Sequence, residues 1–262
     1  MAVDEAVFRG TIRKTSPPTL RFYGWRTPTV SIGRFQDAST EVNVEVCGQL
    51  GIDLVRRPTG GKAVLHDEEL TYAVTAGSDS SLFPPDILET YRIISSCIAR
   101  GLAGCGIRAE MEADGRAAAD EPLGRSCFSL PSRYELLVAG RKICGSAQTR
   151  SHGVFLQHGA LLMAFDPGRT CAVLLPNGDC DRQVDRLRNS VTSVREHATI
   201  PPADEETLCR FIQDGFTQVL GIRFREGALT PEEEALKAEL IAKKYGSASW
   251  NREGRDPWIS GL

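Results

Sequence analysis

Between Leu20 and Thr75 the chain falls into short segments rich in β-branched or aromatic residues, and this grouping constrains the fold more than any other feature. The segments are 20–23, 29–33, 53–57, 63–66 and 70–75, separated by turn formers such as Pro58, Gly60, Gly61 and Asp67. They read as antiparallel strands. After Pro84-Pro85, residues 86–102 place Ile87, Leu88, Tyr91, Ile94, Ile98 and Leu102 on one stripe at helical spacing, which predicts an amphipathic helix packed on the sheet. Residues 134–138 and 141–147 flank Ala139-Gly140 as a hairpin, and 154–164 supplies a further apolar strand containing Gln157-His158-Gly159. The remainder is helical: Leu208, Phe211, Ile212, Phe216 and Val219 share a face that ends at Gly221. Thr230-Pro231-Glu232-Glu233 is a capping box with proline at the first helical position. Strands and helices are grouped rather than alternating, which predicts an α+β fold: a mixed, largely antiparallel sheet flanked by helices. One catalytic domain over 1–262 is expected, with 200–262 as a helical extension packed on it.

Composition excludes several classes. With 31 basic against 34 acidic side chains the net charge is −3, which gives no field suited to nucleic acid. The basic groups at Arg56, Arg57 and Lys62, and at Arg133, Arg141, Lys142 and Arg150, read as solvated faces. No apolar run approaches membrane-spanning length, and the first residues carry acids where a signal peptide carries bases, so a cytoplasmic location is expected. The eight cysteines include no C-x-x-C pair and no His/Cys spacing of the zinc type. They read as reduced thiols, with no metal site.

Two segments carry chemistry. Arg56-Arg57-Pro58-Thr59-Gly60-Gly61-Lys62 puts adjacent glycines and flanking cations between strands, where backbone N–H groups can approach a ligand. It is not a phosphate loop, because Arg56 stands where that motif needs glycine and Ala63 where it needs Ser or Thr. A tight hairpin with a basic rim is the plain alternative. The second segment begins at Cys127, at the end of the polar stretch 110–126, which is expected to be a mobile loop. A thiol there, beside basic residues, is more accessible and more easily ionised than Cys97, Cys47 or Cys209 in apolar-periodic runs. Cys144 is its rival as nucleophile, although a place within a strand predicts burial. Of the four histidines, His158 lies in a strand near this segment, and none belongs to a Ser/His/Asp ordering.

Residues 56–72, 127–150 and 153–162 closely resemble the lipoate ligase, biotin ligase and octanoyltransferase superfamily, and specifically the LipM-type octanoyltransferases. The likeness extends to Arg21-Phe-Tyr-Gly-Trp25, to Met1-Ala-Val-Asp-Glu-Ala and to Tyr245-Gly-Ser-Ala-Ser-Trp250. It implies a biotin/lipoate ligase-like catalytic domain with an acyl tunnel, whose binding residues are Arg57, Thr59, Gly60, Gly61, Lys62, His66, Gly145, Ser146, Gln148 and His158. It also implies a covalent thioester on Cys127, with Lys142 lowering the thiol pKa, for which an ammonium within ~4–6 Å suffices. Octanoyl would pass from octanoyl-acyl carrier protein to Cys127, with N–H groups at a Gly145-Ser146 turn holding the oxyanion. A lysine of a lipoyl-accepting protein, the glycine cleavage H protein or a dehydrogenase E2 lipoyl domain, would then take it, with Lys142 shuttling the proton. No cofactor is implied, and a monomer suffices. The resembling proteins carry a strand and an asparagine before the segment that Met1 begins here, so an upstream start is expected. They commonly have alanine where Cys144 stands.

Three other readings compete. An ATP-dependent lipoate-protein ligase shares the Arg-Arg-x-x-Gly-Gly and Lys-x-x-Gly-Ser-Ala patterns but needs no nucleophilic cysteine. An amidotransferase would move octanoyl between lipoyl-bearing proteins by the same thiol chemistry. A non-catalytic acyl-carrier-binding module would leave Cys127 unreactive. Because such carriers tend to be acidic, Arg133, Arg141 or Arg150 is expected to steer docking.

Overall fold

The computed structural model describes residues 1–77, 81–112, 134–174, 179–199 and 204–258. Cys127, Arg133 and all of the expected loop beyond Glu112 lie outside the described residues. In chain order the elements are α1 (Ala2–Ile12), β1 (Thr19–Tyr23), β2 (Thr29–Ile32), α2 (Ala38–Glu41), α3 (Val44–Gln49), β3 (Asp53–Arg56), β4 (Val64–His66), β5 (Glu69–Gly77) and α4 (Ile87–Gly104). There follow β6 (Glu110–Met111), β7 (Leu136–Val138), β8 (Arg141–Ser151), β9 (Val154–Leu162), α5 (Pro167–Leu174), α6 (Cys180–Ser190), α7 (Val194–His197), α8 (Glu205–Leu220), α9 (Pro231–Leu240) and α10 (Ala248–Asn251). A single π-helical turn, Ile241–Tyr245, joins α9 to the last helix.

Side-chain alternation explains the layers. In β5, Leu70, Tyr72, Val74 and Ala76 enter the main apolar core with Ile94, Ile98 and Leu102 of α4 and Leu208, Ile212 and Phe216 of α8. Glu69, Thr71, Ala73 and Thr75 therefore take the other face. The large sheet runs β1-β5-β9-β8-β7-β6, with every pairing antiparallel. A small sheet, β3-β2-β4, is mixed, since β2 runs parallel to β3 and antiparallel to β4. Helices α4 and α8 cover one face of the large sheet, and the small sheet and α1 lie toward the other.

The expected strands, the long helix, the hairpin at Ala139-Gly140 and the capping box at Thr230 are all present. Ala139 and Gly140 both take positive φ, 50° and 75°, which is what a two-residue turn matched to strand twist requires. Besides the parallel pairing of β2 with β3, where antiparallel strands were expected, three findings depart from the sequence reading. Helices α2 and α3 occupy the stretch between β2 and β3, each started by a side-chain cap, from Asp37 and Asn43. Glu110–Met111 is a strand paired with β7 rather than the start of a loop.

The third departure concerns charge. Arg56 and Arg57 are buried instead of forming a solvated face. Arg56 spends its guanidinium on backbone carbonyls: Nε donates to Trp250 O, Nη1 to Gly33, Arg34 and Gln36 O, and Nη2 to Arg252 O, at 2.6–3.1 Å. Trp250 returns the contact, its indole N–H donating to Arg56 O at 2.9 Å. A planar, five-donor cation can satisfy carbonyls arriving from several directions, which lysine cannot do. The C-terminal region is tied at a second place, where buried Lys244 meets Glu5 of α1 at 3.0 Å and Asp256 at 2.9 Å.

Candidate active site

A slot lies between the two sheets, with about 420 Å3 of empty space counted together with its open mouth. Its floor is one patch of the large sheet, where the register sets Gly145 opposite Ala160 and Ala160 opposite Thr71, and, one step along, Ala147 opposite His158. Gly145, Ala147 and Ala160 among them are small, which leaves room above the sheet. Gly159 must stay glycine, since a Cβ there would stand 2.5 Å from the Tyr72 ring and 2.7 Å from Gly145 O. The roof is Ser31, Arg57, Gly61, Val64 and His66.

Of the expected binding residues, Arg57, Gly61, His66, Gly145, Ser146 and His158 line this slot. His66 is buried, with Nδ1 2.7 Å from Glu69 Oε1, Nε2 2.7 Å from Ser31 Oγ, and its ring stacked on Trp25 at 4.3 Å. His158 lies 2.7 Å from Thr59 Oγ1. Burial lowers the His158 pKa and outweighs the nearby carboxylate of Asp4, so the ring is held neutral. Arg57 donates to Ser31, Gly60 and Lys62 at 2.6–3.1 Å, so its charge holds the roof loop in shape.

Four expected residues act from outside the slot wall. Thr59 anchors His158, while Gly60 and Lys62 contribute carbonyls to Arg57. Gln148 bonds Gln157 at 2.9 Å and accepts from Arg150 at 2.7 Å. The Gly145-Ser146 pair sits within β8 rather than in a turn. Strand β7 pairs with β8 only as far as Cys144, so beyond that point no described strand covers the outer edge of β8. Arg150 is also committed internally, to Pro85 O, Asp86 O and Thr90 Oγ1 around the start of α4, and Arg141 pairs with Glu196 at 2.8 Å. Both side chains thus have partners within the chain, ionic for Arg141 and neutral for Arg150.

The two residues around the proposed thiol chemistry are separated by a bulge. Leu136 faces Cys144 and Leu137 faces Lys142, so Ile143 is the extra residue. Ile143 and Cys144 consequently both enter the α4 core, and Lys142 turns to the opposite face. There its Nζ meets Glu135 Oε1 at 2.7 Å, with both side chains buried. That face carries the slot, as Thr71 and Ala160 do. Burial pushes the Cys144 thiol up to about 12, despite the Ser146 hydroxyl and the Lys142 charge, and does the same to Cys97. Burial thus disfavours Cys144 as a nucleophile, and Cys144→Ala is expected to leave activity within about threefold of wild type in a steady-state assay.

Sequence reasoning did not single out Ser31, Val64, Thr71, Ala147, Gly159 and Ala160 in the wall, or Trp25, Glu69 and Glu135 behind it. Alternation along β5, which sets Glu69 and Thr71 on one face, was a usable signal for two of them.

The profile of the lipoyl protein ligase A/B catalytic domain matches residues 1–217. The chain belongs to this family. A relative named Octanoyltransferase LipM from Kyrpidia tusciae is 44% identical, covering 96% of this chain and 93% of its own. The Bacillus subtilis protein of the same name is 36% identical over 96% of this chain and 92% of its own. Among solved structures, a lipoate-protein ligase A bound with ATP superposes with TM-score 0.79 at 30% identity, covering 97% of this chain and 93% of that one. A bipartite lipoate protein ligase from Thermoplasma acidophilum gives 0.80 at 28%, covering 98% and 92%. This lipoyl protein ligase A/B family member thus shares with solved ligases the large sheet flanked by helices. Among its described residues no helix is long and apolar enough to cross a membrane.

Proposed function

We propose that this chain is an octanoyltransferase of lipoate biosynthesis, taking octanoyl from octanoyl-acyl carrier protein as a thioester on Cys127. It then passes the group to a lysine of a lipoyl-accepting protein, the glycine cleavage H protein or an E2 lipoyl domain. One observation carries the reading. The slot has a floor of Gly145, Ala147, Gly159 and Ala160, and the guanidinium of Arg57 above it is spent on the protein's own carbonyls. Such a space fits an unbranched hydrocarbon chain and offers little to a charged ligand.

The chemistry follows from group types. The Cys127 thiolate attacks the donor carbonyl, the C–S bond to the carrier breaks, and the carrier thiolate leaves. Lys142, with Glu135 beside it, supplies the cation that favours a thiolate. Of Gly145 and Ser146, the one whose N–H points away from β9 would receive the oxyanion along the edge that no described strand covers. The amine of the acceptor lysine then attacks the acyl-enzyme, giving an amide and returning the thiolate. Thioester to thioester to amide runs downhill, so ATP is not needed.

Intact-mass spectrometry after mixing with octanoyl carrier protein should reveal one octanoyl adduct, which peptide mapping places on Cys127. An adduct on Cys144 would reverse the assignment. ATP consumption with free lipoate, and no adduct, would replace the transferase by a ligase.

A further inference from the structure

The slot has a wet end and a dry end. At the β8 side, Gly61 is exposed and Ser146 and Ala147 are half-exposed, with a Cβ built on Gly61 falling 3.8 Å from that of Ala147. At the β5 side, Ser31, His66, Glu69 and Thr71 are all buried. From β8 across β9 to β5 is two inter-strand steps, about 10 Å. A chain entering beside Ala147 therefore runs over Ala160 and meets this polar group.

These four side chains are linked by hydrogen bonds through Glu69 Oε1, while the second carboxylate oxygen, Oε2, is buried with no hydrogen-bond partner. Ser31 Oγ and Glu69 Oε1 each lie 2.7 Å from a His66 ring nitrogen, Thr71 Oγ1 donates to Glu69 Oε1 at 2.5 Å, and Trp25 Nε1 donates to Thr71 Oγ1 at 2.9 Å. Trp25 stacks on the His66 ring from behind. A hydrocarbon tail pressed into such a cluster would part buried hydrogen bonds and give back none, so the chain must stop there.

We propose that Ser31, His66, Glu69 and Thr71, backed by Trp25, form the end wall that sets the length of acyl chain the slot accepts. This rests on the transfer reading above and adds the residues that select the chain. Each methylene beyond the wall should be rejected by about tenfold or more while the wall is intact.

The test uses the full chain and acyl-pantetheine thioesters of six, eight, ten and twelve carbons, with the rate of acyl-enzyme formation followed by intact mass. Wild type should fall off steeply beyond eight carbons. His66→Ala, which removes the wall, and Trp25→Ala, which lets the imidazole retreat, should each raise the ten-to-eight rate ratio about tenfold. Should His66→Ala fail to fold, Trp25→Ala decides, because it leaves all four wall side chains unsubstituted. A ratio unmoved within threefold in the folded variants overturns the proposal. If wild type forms no acyl-enzyme with any thioester, the transfer reading falls instead. Thermal stabilisation by free octanoate and decanoate then tests the wall, which predicts that the variants gain relatively more from decanoate and is overturned if they do not.

Discussion

Lys142→Ala is expected to lose both activity and stability, and the two losses should separate. The ammonium lies buried against Glu135 at 2.7 Å, so removing it leaves a carboxylate in the interior without its cation. Breaking such a pair costs about 3–5 kcal/mol. For a chain of this size that lowers Tm by about 10 °C, measurable by calorimetry. Activity should fall further than stability explains, by about 10–1,000-fold at neutral pH, because a nearby cation lowers a thiol pKa by about 1–3 units. The double variant Lys142→Met, Glu135→Leu removes both charges and should recover most of the lost Tm while remaining inactive. If the double variant transfers octanoyl within threefold of wild type, the ammonium has no part in the chemistry.

Arg56→Ala should be the most damaging substitution outside the slot. Its guanidinium serves carbonyls of Gly33, Arg34, Gln36, Trp250 and Arg252, and charged hydrogen bonds of this kind contribute about 1.5–3 kcal/mol apiece before compensation. Partial relaxation and water entry leave an expected net loss of about 4 kcal/mol. Arg56→Lys should recover little, since one ammonium cannot reach acceptors spread over the β2 end and the last helix. The neighbour makes the contrast: Arg57 lines the slot, so Arg57→Ala should disturb acyl binding more than Arg56→Ala does at a temperature where both are folded. A Tm change under 2 °C for Arg56→Ala would show that the carbonyls are satisfied without it.

The strands, the long helix and the hairpin were legible because their signals are local: alternation, a helical stripe, a two-residue turn. His66, His158 and the Gly60-Gly61 loop were legible as parts of one site only through the family resemblance. What stayed hidden depends on pairing between distant segments. Arg56 and Arg57 are adjacent and alike in sequence, yet only the packing of Trp250 and Arg252 beneath the β2 end makes one of them a structural hub. Strict alternation along β8 would put Lys142 on the same face as Cys144. The bulge at Ile143 sends them apart, and it exists only in the register with β7. Ser31 and Glu69 gain meaning only because His66 lies between them.

The mutual grip of Arg56 and Trp250 reaches beyond stability. The family profile ends at residue 217, but the roof over the slot is pinned by residues some thirty positions further on. Chimeras between relatives that exchange the last helices while keeping the parent's Gly33–Gln36 turn would combine halves of one clasp. Productive crossovers should be those that inherit both halves from the same parent.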